Sequence, residues 1–332
     1  MAMNRVEQSI AFAISDASQV GAARRSAAQL AERMELGEQA AGKLAIVVTE
    51  LANNLHKHAQ EGTILLRAIT QGPLGVEVMT VDKGPGMRDV EGCFRDGYST
   101  SGTSGTGLGS VARQADRWDI YTSAGTGTTG TILVAEIHKE RAPGKKARLQ
   151  AGGVCLPLRG ELVSGDRWSH HGKSVYERVM VADGLGHGVH AAEASEEAVE
   201  VFHRSAAATL PEVMTMMHNA LKKTRGAAVA MAELDHSKRV VRYVGVGNIA
   251  ATIVHAGSTR SLVSQNGIVG HEVRKIQEFQ YPWLEGATLV MNSDGLLSKW
   301  EVTRYPGLIQ RHPALLAGAL WRDFTRGRDD VT

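Results

Sequence analysis

Apolar positions recur every three to four residues over two early stretches of the chain. Val20, Ala23, Ala27, Leu30 and Ala31 share one face of residues 17–34, and Leu44, Val47, Val48, Leu51 and Leu55 share one face of residues 38–59. Both patterns predict amphipathic helices, with Ser15 and Asp16 as candidate caps for the first. Residues 8–14, 63–70, 76–81, 118–122 and 129–137 read as strands, separated by turn signals such as Gln71-Gly72-Pro73. Helices followed by a mainly antiparallel sheet predict an α+β first half.

The pattern restarts after residue 150. Gly152–Leu158 and Gly160–Asp166 suggest the opening of a new sheet, and residues 175–181 form a further strand that ends at Ala182-Asp183-Gly184. Helices are predicted over residues 189–204 and 211–223, the second with Pro211 at an allowed terminal position. Val213, Met216, Met217 and Leu221 supply its apolar face, and the methionines read as core fillers. Strands resume at 227–234, 239–246, 249–255 and 288–293, which predicts sheet packed on sheet with helices outside.

The 332 residues fit two domains: 1–140, a basic linker at 141–150, and 151–332. Thirty-seven basic against thirty-five acidic side chains leave a net charge of +2, no field that calls for nucleic acid or an anionic membrane. Cys93 and Cys155 lack metal-site or disulfide spacing and fit a reducing compartment. With no stretch of about 20 apolar residues and no signal-peptide pattern, the expectation is a cytoplasmic protein.

Candidate chemistry in the first half starts with Glu50 and Asn54, four residues apart on one helix face. An amide oxygen there can help hold magnesium while the carboxylate deprotonates a hydroxyl; an exposed helix contact explains the pair equally well. Asp82, in VDKGPG, can accept a base amino group beside glycines that allow close backbone approach. The run GYSTSGTSGTGLG, entering a helix, can place backbone N–H groups around phosphates.

In order, TELANNLHKHA, VDKGPG, GYSTSGTSGTGLG and GTGTT resemble the ATP-binding fold shared by histidine kinases, gyrase and heat-shock ATPases. They most resemble the small serine/threonine switch kinases of bacterial general-stress signalling. The resemblance, over residues 5–138, implies an α/β sandwich that binds ATP and Mg2+. It makes Glu50 the base, Asn54 the magnesium ligand and Asp82 the adenine reader, with Gly84 and Gly86 forming the turn around it. Gly105, Gly107 and Gly109 become the phosphate lid, and Thr129 or Thr131 the closing threonine. No phospho-accepting histidine helix precedes these motifs, which favours serine/threonine phosphorylation over a sensor histidine kinase.

In the second half, acidic residues sit at strand ends or glycine turns: Asp183-Gly184, Asp294-Gly295 and Asp329-Asp330. Water attack on a phosphate monoester needs an activated nucleophile and charge compensation, and two Mg2+ or Mn2+ ions supply both. Asp183 would bridge the pair, the Gly184 carbonyl would add a ligand, Asp294 and Asp329 would complete one shell, and Asp166 would serve the second ion. Asp330 replaces Asp329 if the last turn shifts by one residue. Gly245-Val246-Gly247-Asn248 reads as a tight turn.

The motifs SGDRW, ADGLGHG, TRGAAVA, GVGN, NSDGL and DDVT resemble the metal-dependent serine/threonine phosphatases of the sporulation and stress-response type. That resemblance implies an αββα sandwich over residues 151–332 and carries Asp183, Gly184, Asp294 and Asp329 over as metal ligands, with Asp166 alongside. The phosphate-binding arginine of animal relatives has no evident counterpart; Arg159 and Arg167 are the candidates. Joined, the two resemblances imply a bifunctional regulator acting on a STAS-domain phosphoprotein or anti-sigma antagonist in a stress or sigma-factor pathway. They leave open a sigma-pathway partner and a homodimer. The rival readings are an ATP-regulated phosphatase without kinase activity and an anti-sigma-type binding module fused to a phosphatase.

Overall fold

Each predicted helix and most predicted strands form where apolar periodicity places them. The computed structural model describes residues 8–94, 107–124, 128–140, 150–172 and 176–332. The first half contains β1 (Ile10–Ala13), α1 (Ala17–Arg33), α2 (Gly37–His58), β2 (Thr63–Ile69), β3 (Gly75–Val81), α3 (Val90–Cys93), α4 (Gly107–Gln114), β4 (Arg117–Ser123) and β5 (Gly130–His138). Then come β6 (Asp166–Gly172), β7 (Tyr176–Gly184), α5 (Val189–Arg204), α6 (Leu210–Ala220), β8 (Ala227–Asp235), β9 (Val240–Val246) and β10 (Ala250–His255). The chain finishes with β11 (Ser258–Ser261), β12 (Phe279–Pro282), β13 (Thr288–Asn292) and α7 (Pro313–Phe324).

The chain forms two compact units, one of residues 9–152 with 304–322, the other of residue 8, 153–303 and 323–332. Residues 304–322 therefore depart from a division that assigned everything after 150 to the second domain. The first unit explains why. Its sheet, ordered β1-β2-β3-β5-β4, is antiparallel throughout. One face, with Ile64, Leu66, Val76, Val78, Leu133 and Ala135, packs into a core with Leu30, Leu44, Val48 and Leu51 of α1 and α2. Alternate residues on the opposite face are apolar as well: Leu65, Met79, Ile132 and Val134 are at most 2% exposed. A two-faced apolar sheet needs a second cover.

Residues 304–322 lie against that second face. A Cβ added to Gly318 would come 2.8 Å from Met79 Sδ and 3.2 Å from Ile132 Cγ2, so α7 uses a glycine at its closest approach. Tyr305 meets Tyr121 edge to face at 6.5 Å between ring centroids. The His312 N–H donates to Asp119 Oδ2 at 2.8 Å.

In the second unit a five-stranded antiparallel sheet, β12-β9-β8-β7-β6, accompanies a three-stranded one, β11-β10-β13. Helices α5 and α6 pack on the larger sheet, with Ala198, Phe202, Val213 and Met217 joining Met180, Met231 and Val244 in one core. A capping box between Thr209 and Glu212 starts α6. Met217 is fully buried but Met216 is 45% exposed, so one of the two expected core fillers faces solvent. The sheet expected to open over residues 152–166 starts instead with β6 at Asp166. Before it the chain makes an isolated bridge, Leu156 to Val331, because the Asp330 carboxylate takes the Leu158 and Gly165 N–H groups, each at 2.7 Å. Together the units give an α+β architecture with separate sheet regions, the second of αββα type.

Candidate functional site

In the first unit, α2 carries Glu50 and Asn54 one turn apart, and the start of α4 comes against them. A Cβ on Gly107 would lie 3.0 Å from Glu50 Oε2 and 3.6 Å from Asn54 Oδ1, a gap suited to bare backbone. Among the described residues the buried Asn54 Nδ2 has no hydrogen-bond partner. Leaving such a group unsatisfied costs about 1–3 kcal/mol, which a polar ligand reaching this point would recover. The free N–H groups at the α4 N-terminus suit phosphate. Gly109 is buried inside α4; Gly105 lies outside the described residues.

Asp82 follows β3 and is 9% exposed. Its Oδ1 accepts the Gly84 N–H at 2.7 Å and the Thr131 N–H at 3.2 Å, so Oδ2 is the atom left to accept a base amino group. Burial pushes the Asp82 carboxyl up, while the Gly84 and Thr131 N–H groups and the Arg322 guanidinium pull it down. Gly86 has φ +73°, and a Cβ there would sit 2.2 Å from the Ser123 carbonyl oxygen, so the turn requires glycine. Thr131, rather than Thr129, is the threonine brought onto Asp82; its hydroxyl also pairs with Thr122 at 3.1 Å. Residue 129 precedes the strand, and residue 131 sits in β5 opposite β4. These groups fit a nucleotide: a base acceptor, an amide NH2 donor able to meet a phosphate oxygen and a helix N-terminus, with Asn54 Oδ1 the atom that would hold magnesium.

The second unit gathers its aspartates by strand register. Asp166 opens β6 directly opposite Asp183 on β7. Gly184 is bound to that spot because a Cβ would lie 2.0 Å from the Ala191 carbonyl oxygen, and Gly295 because a Cβ would lie 1.9 Å from the Asp330 carbonyl oxygen. Burial and the charges of Asp294, Asp329 and Asp330 push the Asp183 carboxyl up to about 7. Burial and Asp183 push Asp166 well above the carboxylate range, while a 2.6 Å hydrogen bond from Ser293 opposes the rise. Carboxylates that raise one another in this way fit hard divalent cations. Both Asp330 carboxylate oxygens accept backbone N–H groups, whereas Asp329 accepts one, from Asp330, through Oδ1.

A carboxyl whose folded pKa exceeds its unfolded value binds more protons when folded, so its contribution to stability falls as pH rises between the two values. For Asp183 that window runs from 3.8 to about 7. In chelator, the protein is expected to melt higher at about pH 5.5 than at about pH 8, by on the order of a few kcal/mol, with Mn2+ reversing the order. Equal melting temperatures at both pH values would contradict this convergence of carboxylates.

Neighbouring groups correct other expectations. Arg167 is fully buried, donating to the Ser164 and Asp166 carbonyls and pairing with Glu196 at 2.7 Å, so it is not a phosphate clamp. Exposed Arg225, in TRGAAVA, instead brings Nη1 within 3.1 Å of where a Gly186 Cβ would stand, in the ADGLGHG loop. Asn248, read from sequence as part of a turn, donates Nδ2 to Asp294 Oδ2 at 2.8 Å and orients that ligand candidate. The GVGN motif was the signal available for it.

Glu77, Glu136 and His312, not singled out from sequence, place ligand atoms within 4.8 Å of one another, a grouping able to hold a metal ion. They belong to the first unit and share no residue with the aspartates. Arg67 already grips Glu77 at 3.1 and 2.9 Å, and His138 and His312 reach Glu136 at 3.1 and 3.2 Å. Burial would lift Glu136, but those histidines hold it well below the usual range. The cluster is therefore satisfied as a buried ion-pair network, and the aspartates of the second unit are the better fit to two hard cations.

Residues 13–135 match the histidine kinase-like ATPase domain, and residues 175–332 match stage II sporulation protein E (SpoIIE). The serine/threonine-protein kinase RsbT of Bacillus subtilis (strain 168) is 32% identical over 108 residues, covering 32% of this chain and 81% of RsbT. The phosphoserine phosphatase RsbX of the same organism is 24% identical over 143 residues, covering 42% of this chain and 71% of RsbX. A chain of a solved structure described as "The bacterial stressosome: a modular system that has been adapted to control secondary messenger signaling" aligns with a TM-score of 0.52 at 25% identity. That alignment covers 56% of this chain and 97% of the other. Among the described residues no helix is long and apolar enough to cross a membrane. The chain belongs to the histidine-kinase-like ATPase family through its first half and to the SpoIIE type of stress-response phosphatase through its second, and is a fusion of the two.

Proposed function

We propose that this chain phosphorylates and dephosphorylates serine or threonine residues of STAS-domain signalling partners in a bacterial stress or sigma-factor pathway. The observation that carries the reading is the presence in one chain of both chemical sets. Glu50 and Asn54 face the start of α4 in the first unit, Asp82 lies buried beside a glycine turn of the same unit, and Asp166, Asp183, Asp294 and Asp329 interact electrostatically in the second. Their relatives are named for opposite reactions, a serine/threonine kinase and a phosphoserine phosphatase.

In the first unit, Asp82 accepts the adenine amino group, Asn54 holds magnesium, and Glu50 takes the proton from the attacking hydroxyl. In the second, Asp183, the Gly184 carbonyl, Asp294, Asp329 and Asp166 are the groups that would hold two divalent cations, and Asn248 keeps Asp294 oriented. Cations held by these carboxylates would supply an activated water and offset the phosphate charge. Unchecked, the two activities would only consume ATP, so a partner or distinct substrates must favour one at a time.

A time course with purified candidate STAS proteins, Mg-ATP and Mn2+, followed by phosphoserine and phosphothreonine detection, tests the reading. Phosphate addition with ATP and removal with Mn2+ are expected. Removal without addition would leave an ATP-regulated phosphatase, and nucleotide-dependent complexes without transfer would leave a binding module.

Arg225, exposed beside the Gly186 loop, is our candidate for the guanidinium that meets the substrate phosphate. Arg225→Ala is expected to raise KM for the phosphoprotein about tenfold, with a smaller change in kcat and unchanged Mn2+ affinity, as loss of one charge-assisted contact predicts. An unaltered KM would remove it from the site.

A further inference from the structure

Residues 304–322 do more for the first unit than cover its sheet. Arg322, near the end of α7, donates Nη1 to the Asp82 carbonyl oxygen at 3.0 Å. Gly130 lies at the crossing: its φ is +131°, and a Cβ there would stand 2.1 Å from that carbonyl oxygen and 2.8 Å from Arg322 Nη1. The Asp82 N–H donates to the Thr131 carbonyl at 3.0 Å, and Oδ1 accepts from Gly84 and Thr131. Arg322 thus holds the one backbone atom of Asp82 that neighbouring strands leave free.

The element presenting Arg322 is itself pinned. Arg311 pairs with Asp119 at 3.3 Å, the His312 N–H donates to the same carboxylate at 2.8 Å, and the His312 ring reaches Glu136 at 3.2 Å. Gly318 then lets α7 settle against Met79 and Ile132. A side chain that reads a base must be held to within about 0.5 Å, and rigid elements do this better than loops.

We infer that residues 304–322 are a positioning element of the nucleotide pocket, in which Arg322 sets the orientation of Asp82 and so its affinity and selectivity for adenine. The inference rests on Asp82 being the adenine reader. Arg322 acts through Asp82 and touches no reacting atom. Adenine offers an amino donor at this edge where guanine offers a carbonyl acceptor, so misplacing the carboxylate penalises ATP more than GTP.

The test uses the full chain, with ATP and GTP each displacing a fluorescent ADP analogue, and thermal melting alongside. Arg322→Met is expected to weaken ATP about tenfold and GTP much less, so that the ATP-to-GTP affinity ratio falls, with a modest drop in melting temperature from the Asp82 carbonyl it leaves unbonded. Arg322→Lys, which keeps charge and donor, should restore much of that ratio. If Arg322→Met does not fold, the inference falls should Arg322→Lys and Arg322→Gln both keep the wild-type ratio. It falls equally if ATP and GTP weaken together with the melting temperature, the signature of sheet support alone. Asp82→Asn separates the premises: a wild-type protein that binds no nucleotide, or an Asp82→Asn protein that keeps full ATP selectivity, removes the adenine-reader assignment and this inference with it.

Discussion

Replacing Asp183 by Asn is expected to lower phosphoprotein hydrolysis on the order of a thousandfold while the protein stays folded and still binds ATP. Asp183 lies near the end of β7 opposite Asp166, and its carboxyl is raised by burial and by the charges of Asp294, Asp329 and Asp330. An amide there removes one of the carboxylates that would hold divalent cations, and with it several kcal/mol of the charge compensation such ions would supply at the phosphate. The substitution also relieves repulsion in the acidic cluster, so stability in chelator should rise. Isothermal titration with Mn2+ and a phosphoserine assay check both halves of this result. Near-wild-type hydrolysis in the variant would end the assignment of this centre.

Glu50→Gln should produce the opposite lesion. The carboxylate lies beside the α4 N-terminus and one turn from Asn54, so the variant keeps the fold of α2 and the backbone approach of Gly107. What it loses is a proton acceptor, and general-base removal costs about 10²–10⁴ in rate. ATP affinity should change little, transfer to the partner's hydroxyl should fall by about that factor, and dephosphorylation should continue. Transfer at the wild-type rate would show that Glu50 is not the base.

Much of this molecule was legible in its sequence because local periodicity and long-range packing agree. Leu44, Val48, Leu51 and Leu55 announce α2 at a helical period, and all four are buried in the core. The motif glycines were equally readable, since Gly86 and Gly184 stand where a Cβ would strike backbone. Less legible were contacts that join distant stretches without a local pattern. Arg167 sits beside Asp166 in sequence and looked like a phosphate clamp, yet its guanidinium is spent on carbonyls and Glu196. Arg225 and Asn248 stood in turns whose direction no periodicity reveals. Helix α7 was missed because its meaning is tertiary: Pro313–Phe324 is largely apolar, and only the uncovered side of β3 and β5 explains why. The bonds from the Asp330 carboxylate to the Leu158 and Gly165 N–H groups were equally invisible in the sequence.

The cover supplied by residues 304–322 also bears on how the chain is made. Multidomain proteins commonly fold one domain after another as they leave the ribosome, the N-terminal one first. Here the ATPase-like sheet would emerge with Leu65, Met79, Ile132 and Val134 bare, and they would stay so until the whole phosphatase-like half had been translated. The nascent first half is then an aggregation-prone client for a holding chaperone until residues 304–322 have emerged.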